Sequence, residues 1–154
     1  MLAFAAMSLG VSAWSVGRVG PKRALLAGMS LAVLGLALLA RAPVAGVYGI
    51  DVLPAMLLIA VGGGLGFLPL ILIATGEATP EESGLVSGLV STSQMVGGAI
   101  GLAVLVSLAA ARAGASADPA ALNDGYHLAF LAAAALTGAG LILATCLPDR
   151  TLPA

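Results

Sequence analysis

The densest chemistry in this chain is a run of small polar residues inside an apolar stretch: Ser87, Ser91, Thr92, Ser93 and Gln94 interrupt otherwise aliphatic sequence. At helical spacing Ser87, Ser91 and Gln94 share one side, because residues three and four apart stack on the same face. Hydroxyl and amide groups in that arrangement either bond across to a neighbouring helix or line a water-filled path. On the residues alone both readings stay open. If the second holds, these three are the candidates to meet a small-molecule substrate.

Titratable residues offer less. An ionisable group deep in a membrane is a functional candidate by default, but Asp51 falls at the start of an apolar stretch and Glu77 just beyond its end. A helix-start or interfacial role suits the first, and a solvated loop suits the second. Histidine is the side chain suited to relaying protons at physiological pH, and His127, one residue into the last apolar stretch, is the candidate for such a relay. One His and the single Cys146 exclude a disulfide framework, a cysteine-based metal cluster and a His-rich metal site. No nucleophile-base-acid set, phosphate loop or metal spacing is present, so the sequence implies no cofactor and gives no support to an enzyme.

The elements that must position these residues are set by composition. Of 154 residues, 60% are hydrophobic and 8% charged, and mean hydropathy is +1.13, whereas soluble domains carry about 25% charged residues. The solvent is therefore lipid. With six basic and seven acidic residues the net charge is -1, which leaves no basic field for nucleic acid and no acidic tail to solvate a disordered chain. Five apolar stretches follow, at about residues 1–16, 24–40, 50–75, 84–111 (begun by a turn from about 80) and 126–147, with a polar tail over 148–154. Their apolar residues run on without alternation, which predicts an all-α membrane protein of about five transmembrane helices rather than a barrel. The first stretch, 16 residues long, would rise only about 24 Å against a hydrocarbon core of about 30 Å. It reads as cut at its outer end.

Punctuation marks the connections. Gly20-Pro21 stops one helix and starts the next. Thr79-Pro80-Glu81-Glu82 matches a capping box with Thr79 as N-cap. Asp118-Pro119 starts a short turn that Asn123-Asp124-Gly125 is expected to end. Within the spans, Gly62 and Gly66, and Gly97 and Gly101, have the four-residue spacing that lets a second helix approach closely. Pro69 removes a helical hydrogen bond and predicts a kink or a broken segment. Arg18, Lys22 and Arg23 crowd the first connection, so that side is expected in the cytoplasm, and alternation then puts the carboxyl terminus there too. Trp14, Tyr48 and Tyr126, the only Trp and Tyr residues, all fall near span ends, where an interfacial aromatic belt places them.

With these features in hand, nearly the whole chain resembles the carboxy-terminal part of a major facilitator superfamily transporter, most closely the drug:proton antiporters with fourteen spans. SVGRVGPKRALLAGM resembles the superfamily's cytoplasmic loop signature, carried here by Arg18, Gly20, Lys22 and Arg23. Its acidic position falls on Gly17, so the helix latch that residue serves in the family is not expected. GGGLGFLPLILIAT is similar to a Gly-rich span ending in Pro, SGLVSGLVSTSQMVGGAIGLAVL to the penultimate-core helix of the drug exporters, and GYHLAFLAAAALTGAGLILATCLPDR to the last span and its exit.

The resemblance implies a partial carboxy-terminal bundle in the cell membrane, without the amino-terminal half in which proton-coupling residues sit. It implies proton-coupled export of hydrophobic or cationic small molecules by alternating access between two halves. The expected partners are the lipid bilayer, a small-molecule substrate and the missing amino-terminal half, with no nucleic acid. Four full spans and a stump would begin outside the cell, which points to a fragment of a longer frame. A short membrane interaction protein that pairs with a separately encoded partner, or an importer of a specific solute, are the competing expectations.

Overall fold

The structure, a computed structural model, describes residues 20–44, 46–76, 79, 81–114 and 118–146. The expected first span, the loop residues Arg18, Glu77 and Pro80, and the tail lie outside the described residues. Among those described, four helices are long and apolar enough to cross a bilayer, and there is no strand.

Helix α1 spans Pro21–Leu39. Gly20 precedes it with φ at 87°, a left-handed conformation that Gly adopts without a Cβ penalty, and Pro21 occupies the first position, where no N–H is needed. A tight last turn closes it, with Ala40 N–H on the Leu36 carbonyl and Arg41 N–H on that of Leu38, each at 3.0 Å. A π-helical turn at Tyr48–Val52 leads into α2, Leu53–Thr75. Asp51 sits in that turn, at the helix-start position its sequence context suggests, and accepts a 2.8 Å bond from the Val47 N–H. Helix α2 runs unbroken through Pro69. The proline ring is fully buried, so packing around it offsets the one backbone bond it removes.

Helix α3 spans Ser83–Ala113. Its expected capping box forms in part: the Thr79 N–H bonds to the Glu82 carboxylate at 3.4 Å, while the Thr79 carbonyl accepts the Glu82 and Ser83 amides at 3.0 and 2.9 Å. The regular helix starts after that turn, at Ser83, and Gly114 ends it at φ 65°, its amide on the Ala110 carbonyl at 2.9 Å.

Helix α4, Pro119–Thr145, departs from expectation. Asp118 caps it, accepting the Ala120 N–H at 3.2 Å, but the helix continues through Asn123-Asp124-Gly125 instead of breaking there. The reason is packing: a Cβ at Gly125 would lie 2.5 Å from the Ala109 carbonyl oxygen of α3. That glycine serves close helix contact, not a turn.

The four helices alternate in direction. One end of the bundle carries Lys22, Arg23, Glu81 and Glu82, the other Arg41, Asp51, Arg112, Asp118 and Asp124. The two are called the Lys22 end and the Ala42 end below. Among the described residues no charged side chain sits in the middle of a span, as hydrocarbon requires. Neighbours follow the order α2, α1, α4, α3, with only slight contact between α2 and α3.

The closest contact is α1 on α2. Gly28, Gly62 and Gly66 are all buried, and a Cβ at Gly28 would meet the Gly62 carbonyl at 2.6 Å and the Gly66 nitrogen at 2.7 Å. Conversely, a Cβ at Gly62 would meet the Gly28 carbonyl at 2.5 Å. Seven residues along α1, the same holds for Gly35 against the Ala55 carbonyl at 2.7 Å. Here backbone touches backbone. Gly62→Ala is therefore expected to lower the unfolding stability of the purified protein in detergent by about 1–3 kcal/mol, the usual result of overpacking. Gly63 has nothing within 4 Å of its would-be Cβ, and Gly63→Ala should be neutral or stabilising through helix propensity. Equal melting shifts for the two variants would sink the seam.

Candidate functional site

Hydroxyls in a lipid-spanning helix are best paired with an acceptor, and several here turn back on their own backbone. Ser30 bonds the Leu26 carbonyl at 2.8 Å, Thr75 that of Ile71 at 2.9 Å, Thr92 that of Gly88 at 2.8 Å and Thr137 that of Ala133 at 2.8 Å. This back-bonding satisfies the hydroxyl without a second helix. Thr92, one of the polar group on α3, is thereby accounted for as local structure.

Ser87, Ser91 and Gln94 are different. All three are exposed, and none has a hydrogen-bond partner among the described residues. At about 100° per residue they lie on the same side of α3 as Leu105, Leu108 and Ala109, residues that are partly covered. One side of the helix therefore has two regimes. Near the Ala42 end it is apolar and packs on α4, and near the Lys22 end it is polar and open. No residue of α3 is fully buried. Val86 and Val90 alone are even half-covered before Gly101.

The remaining sequence candidates separate in space. Gly62, Gly66 and Pro69 lie in the buried face of α2 against α1. Gly97 and Gly101 on α3 have nothing within 4 Å of a would-be Cβ, so no described helix approaches them. Gly20, Lys22 and Arg23 gather at the start of α1, where two cations face the positive end of the helix dipole. The helix dipole does not favour them there.

His127 is the ninth residue of α4 rather than a boundary residue, because the helix starts at Pro119. Its Nε2 lies 2.7 Å from the Ala42 carbonyl oxygen, and the Asn123 amide nitrogen donates to the same oxygen at 3.3 Å. Sequence reading missed this pair, although Asn and His spaced i, i+4 in an apolar helix were the available signal. Among the described residues no group of three His, Cys, Asp or Glu side chains converges.

Helices of this length and composition define a multi-pass α-helical membrane protein. Comparison with known proteins narrows the kind. A cephamycin export protein of Amycolatopsis lactamdurans is 32% identical over 142 residues, which takes in 92% of this chain and 29% of that protein. A puromycin resistance protein of Streptomyces alboniger is 31% identical over 160 residues, 95% of this chain and 32% of the other. The chain spans less than a third of the length of these curated relatives. No family model and no solved structure matches it.

If the open polar side of α3 does not hold the described helices together, removing its polarity should leave their stability intact. Ser91→Ala and Gln94→Leu are expected to shift unfolding stability in detergent by no more than about 0.5 kcal/mol, the range of surface substitutions. A loss above 1 kcal/mol for either, in the range of a broken interhelical bond, would show that these side chains bind helices within this chain.

Proposed function

We propose that this chain is the carboxy-terminal part of a major facilitator superfamily exporter of the drug:proton antiporter type, with the open polar side of α3 facing the substrate path. The observation that carries the reading is the extent of the likeness: two proteins, one named for cephamycin export and one for puromycin resistance, align across 92% and 95% of the chain. The relatives are about three times as long, and in this reading further spans of the intact protein cover the side of α3 that no described helix covers.

In this reading Ser87, Ser91 and Gln94 offer hydroxyl and amide groups without charge. Such a lining orients a substrate by hydrogen bonds and leaves selection by charge to residues elsewhere in the intact transporter. Alternating access between two bundles, with proton coupling in the absent half, is the mechanism the superfamily resemblance supplies. The Lys22 end faces the cytoplasm. This explains Lys22 and Arg23 at a helix start that the dipole disfavours, because basic residues flanking spans are retained on the inner side. The carboxyl terminus then lies inside as well.

Two measurements test the reading. In cells producing the intact protein, Ser91→Ala and Gln94→Ala should change the efflux of at least one compound, puromycin and a cephamycin among those tried, by roughly tenfold, the equivalent of about 1.4 kcal/mol of recognition. Unchanged efflux of every compound at equal expression would remove these residues from the path. A carboxy-terminal tag on the native gene should give an immunoblot band about three times the 14.9 kDa of this chain. A band near that mass would favour a short protein that pairs with a separately encoded partner.

A further inference from the structure

Among the described residues, the stretch of α4 from Asn123 to His127 makes polar contacts on two sides, with the Ala42 carbonyl just past α1 and with Arg112 of α3. We propose that this stretch is a tie that fixes the Ala42 ends of α1, α3 and α4 to one another, leaving the opposite half of α3 free to move against them. The inference does not depend on export or on any substrate.

Toward α1, the tie is a shared acceptor. His127 Nε2 at 2.7 Å from the Ala42 carbonyl is at donor distance, so the ring is the tautomer with its proton on Nε2. Asn123 Nδ2 donates to the same oxygen from 3.3 Å, using its second lone pair. The 3.1 Å between Asn123 Nδ2 and His127 Nε2 is then the spacing of two donors converging on one carbonyl. Reversing the Asn123 amide would set oxygen against oxygen, which fixes its orientation. The acceptor is well chosen: Ala42 lies just past the end of α1, where the last carbonyls have no helical partner.

Toward α3, the tie is close approach with a charge pair beside it. Gly125 is buried with its would-be Cβ 2.5 Å from the Ala109 carbonyl and 3.4 Å from the Ala113 Cβ, so α4 touches the backbone of α3. Arg112 Nη2 and Asp124 Oδ2 stand 3.8 Å apart at about 60% exposure each (61% and 60%). A pair so exposed adds little strength. It adds register, because Asp124 immediately precedes the contact glycine. Among the described residues, the four turns of α3 before Gly101 have no comparable anchor.

Hydrogen exchange followed by mass spectrometry tests the tie on the purified chain in lipid nanodiscs. In Asn123→Ala/His127→Phe, which keeps an aromatic ring but removes both donors, the Ala40, Arg41 and Ala42 amides should exchange at least about tenfold faster, since local opening sets exchange. His127→Gln keeps a donor near the Nε2 position and should stay within about twofold of the wild-type rate. Gly125→Leu should speed exchange at Ala109 to Gly114 while leaving the first turns of α1 at wild-type rates. Wild-type rates at residues 40–42 in the double variant would overturn the proposal. So would a uniform acceleration across all four helices, which would make these contacts general stability rather than a local tie.

Discussion

Hydrocarbon neither gives nor accepts hydrogen bonds, and that single property of the solvent organises this protein. Backbone polar groups must be paired within each span, which leaves helices as the form for these apolar stretches. Hydroxyls obey the same demand at smaller scale, as Ser30, Thr75, Thr92 and Thr137 bond the carbonyl one turn back. Charges are driven to the two ends of the bundle for the same reason. Even the connections follow, because Pro21, Asp118 and Gly114 each remove or pair one of the open groups of a helix end at the point where the chain leaves the apolar phase.

That solvent also removes the usual reason for helices to associate. Lipid tails are as apolar as leucine, so burying a leucine between helices gains little over leaving it in the bilayer, and close packing and interhelical hydrogen bonds must hold helices together. The burial pattern reflects this. Residues such as Leu85, Met95 and Leu143 stay exposed, while most buried positions are small, among them Ala24, Gly28, Gly35, Ala55, Gly62, Gly66, Gly125 and Ala144, with Leu25 and Pro69 as larger exceptions. Two modes of association divide the work. The α1 and α2 pair relies on backbone contact along a glycine seam. Helix α4 reaches both neighbours near one end, by donors to Ala42 on one side and by Gly125 on the other, and packs on α1 again toward its far end, where a Cβ at Gly140 would lie 3.1 Å from Met29 Cε.

Much of this architecture was legible in the sequence because the signals are local. Apolar run length located the four described spans, and Gly20-Pro21 and Asp118-Pro119 marked starts that depend only on backbone chemistry. The carboxylate half of the Thr79 capping box was equally readable. What failed was Asn123-Asp124-Gly125. Those residue types favour a turn, but Gly125 faces α3 and the helix gains contact by continuing. Whether a glycine ends a helix or admits a neighbour depends on what lies opposite, and composition carries no record of that. The same limit applies to the spacing of Gly62 with Gly66 and of Gly97 with Gly101. The two pairs are identical as patterns, yet one meets α1 and the other meets no described helix.

The side of α3 that carries Ser87, Ser91 and Gln94 illustrates how position along a helix divides a face that periodicity treats as uniform. Near Ala109 that side meets α4, and its residues are small and apolar, as a tight helix contact requires. About four to six turns earlier the same side bears hydroxyls and an amide with no described partner. Had this polarity served contact with α4, it would sit where α4 is near. It sits where α3 is most exposed, and groups that can hydrogen-bond are poorly placed against lipid tails. In the proposed reading that side meets a surface that supplies water, a substrate or another helix, and relatives three times as long have residues beyond this chain's match.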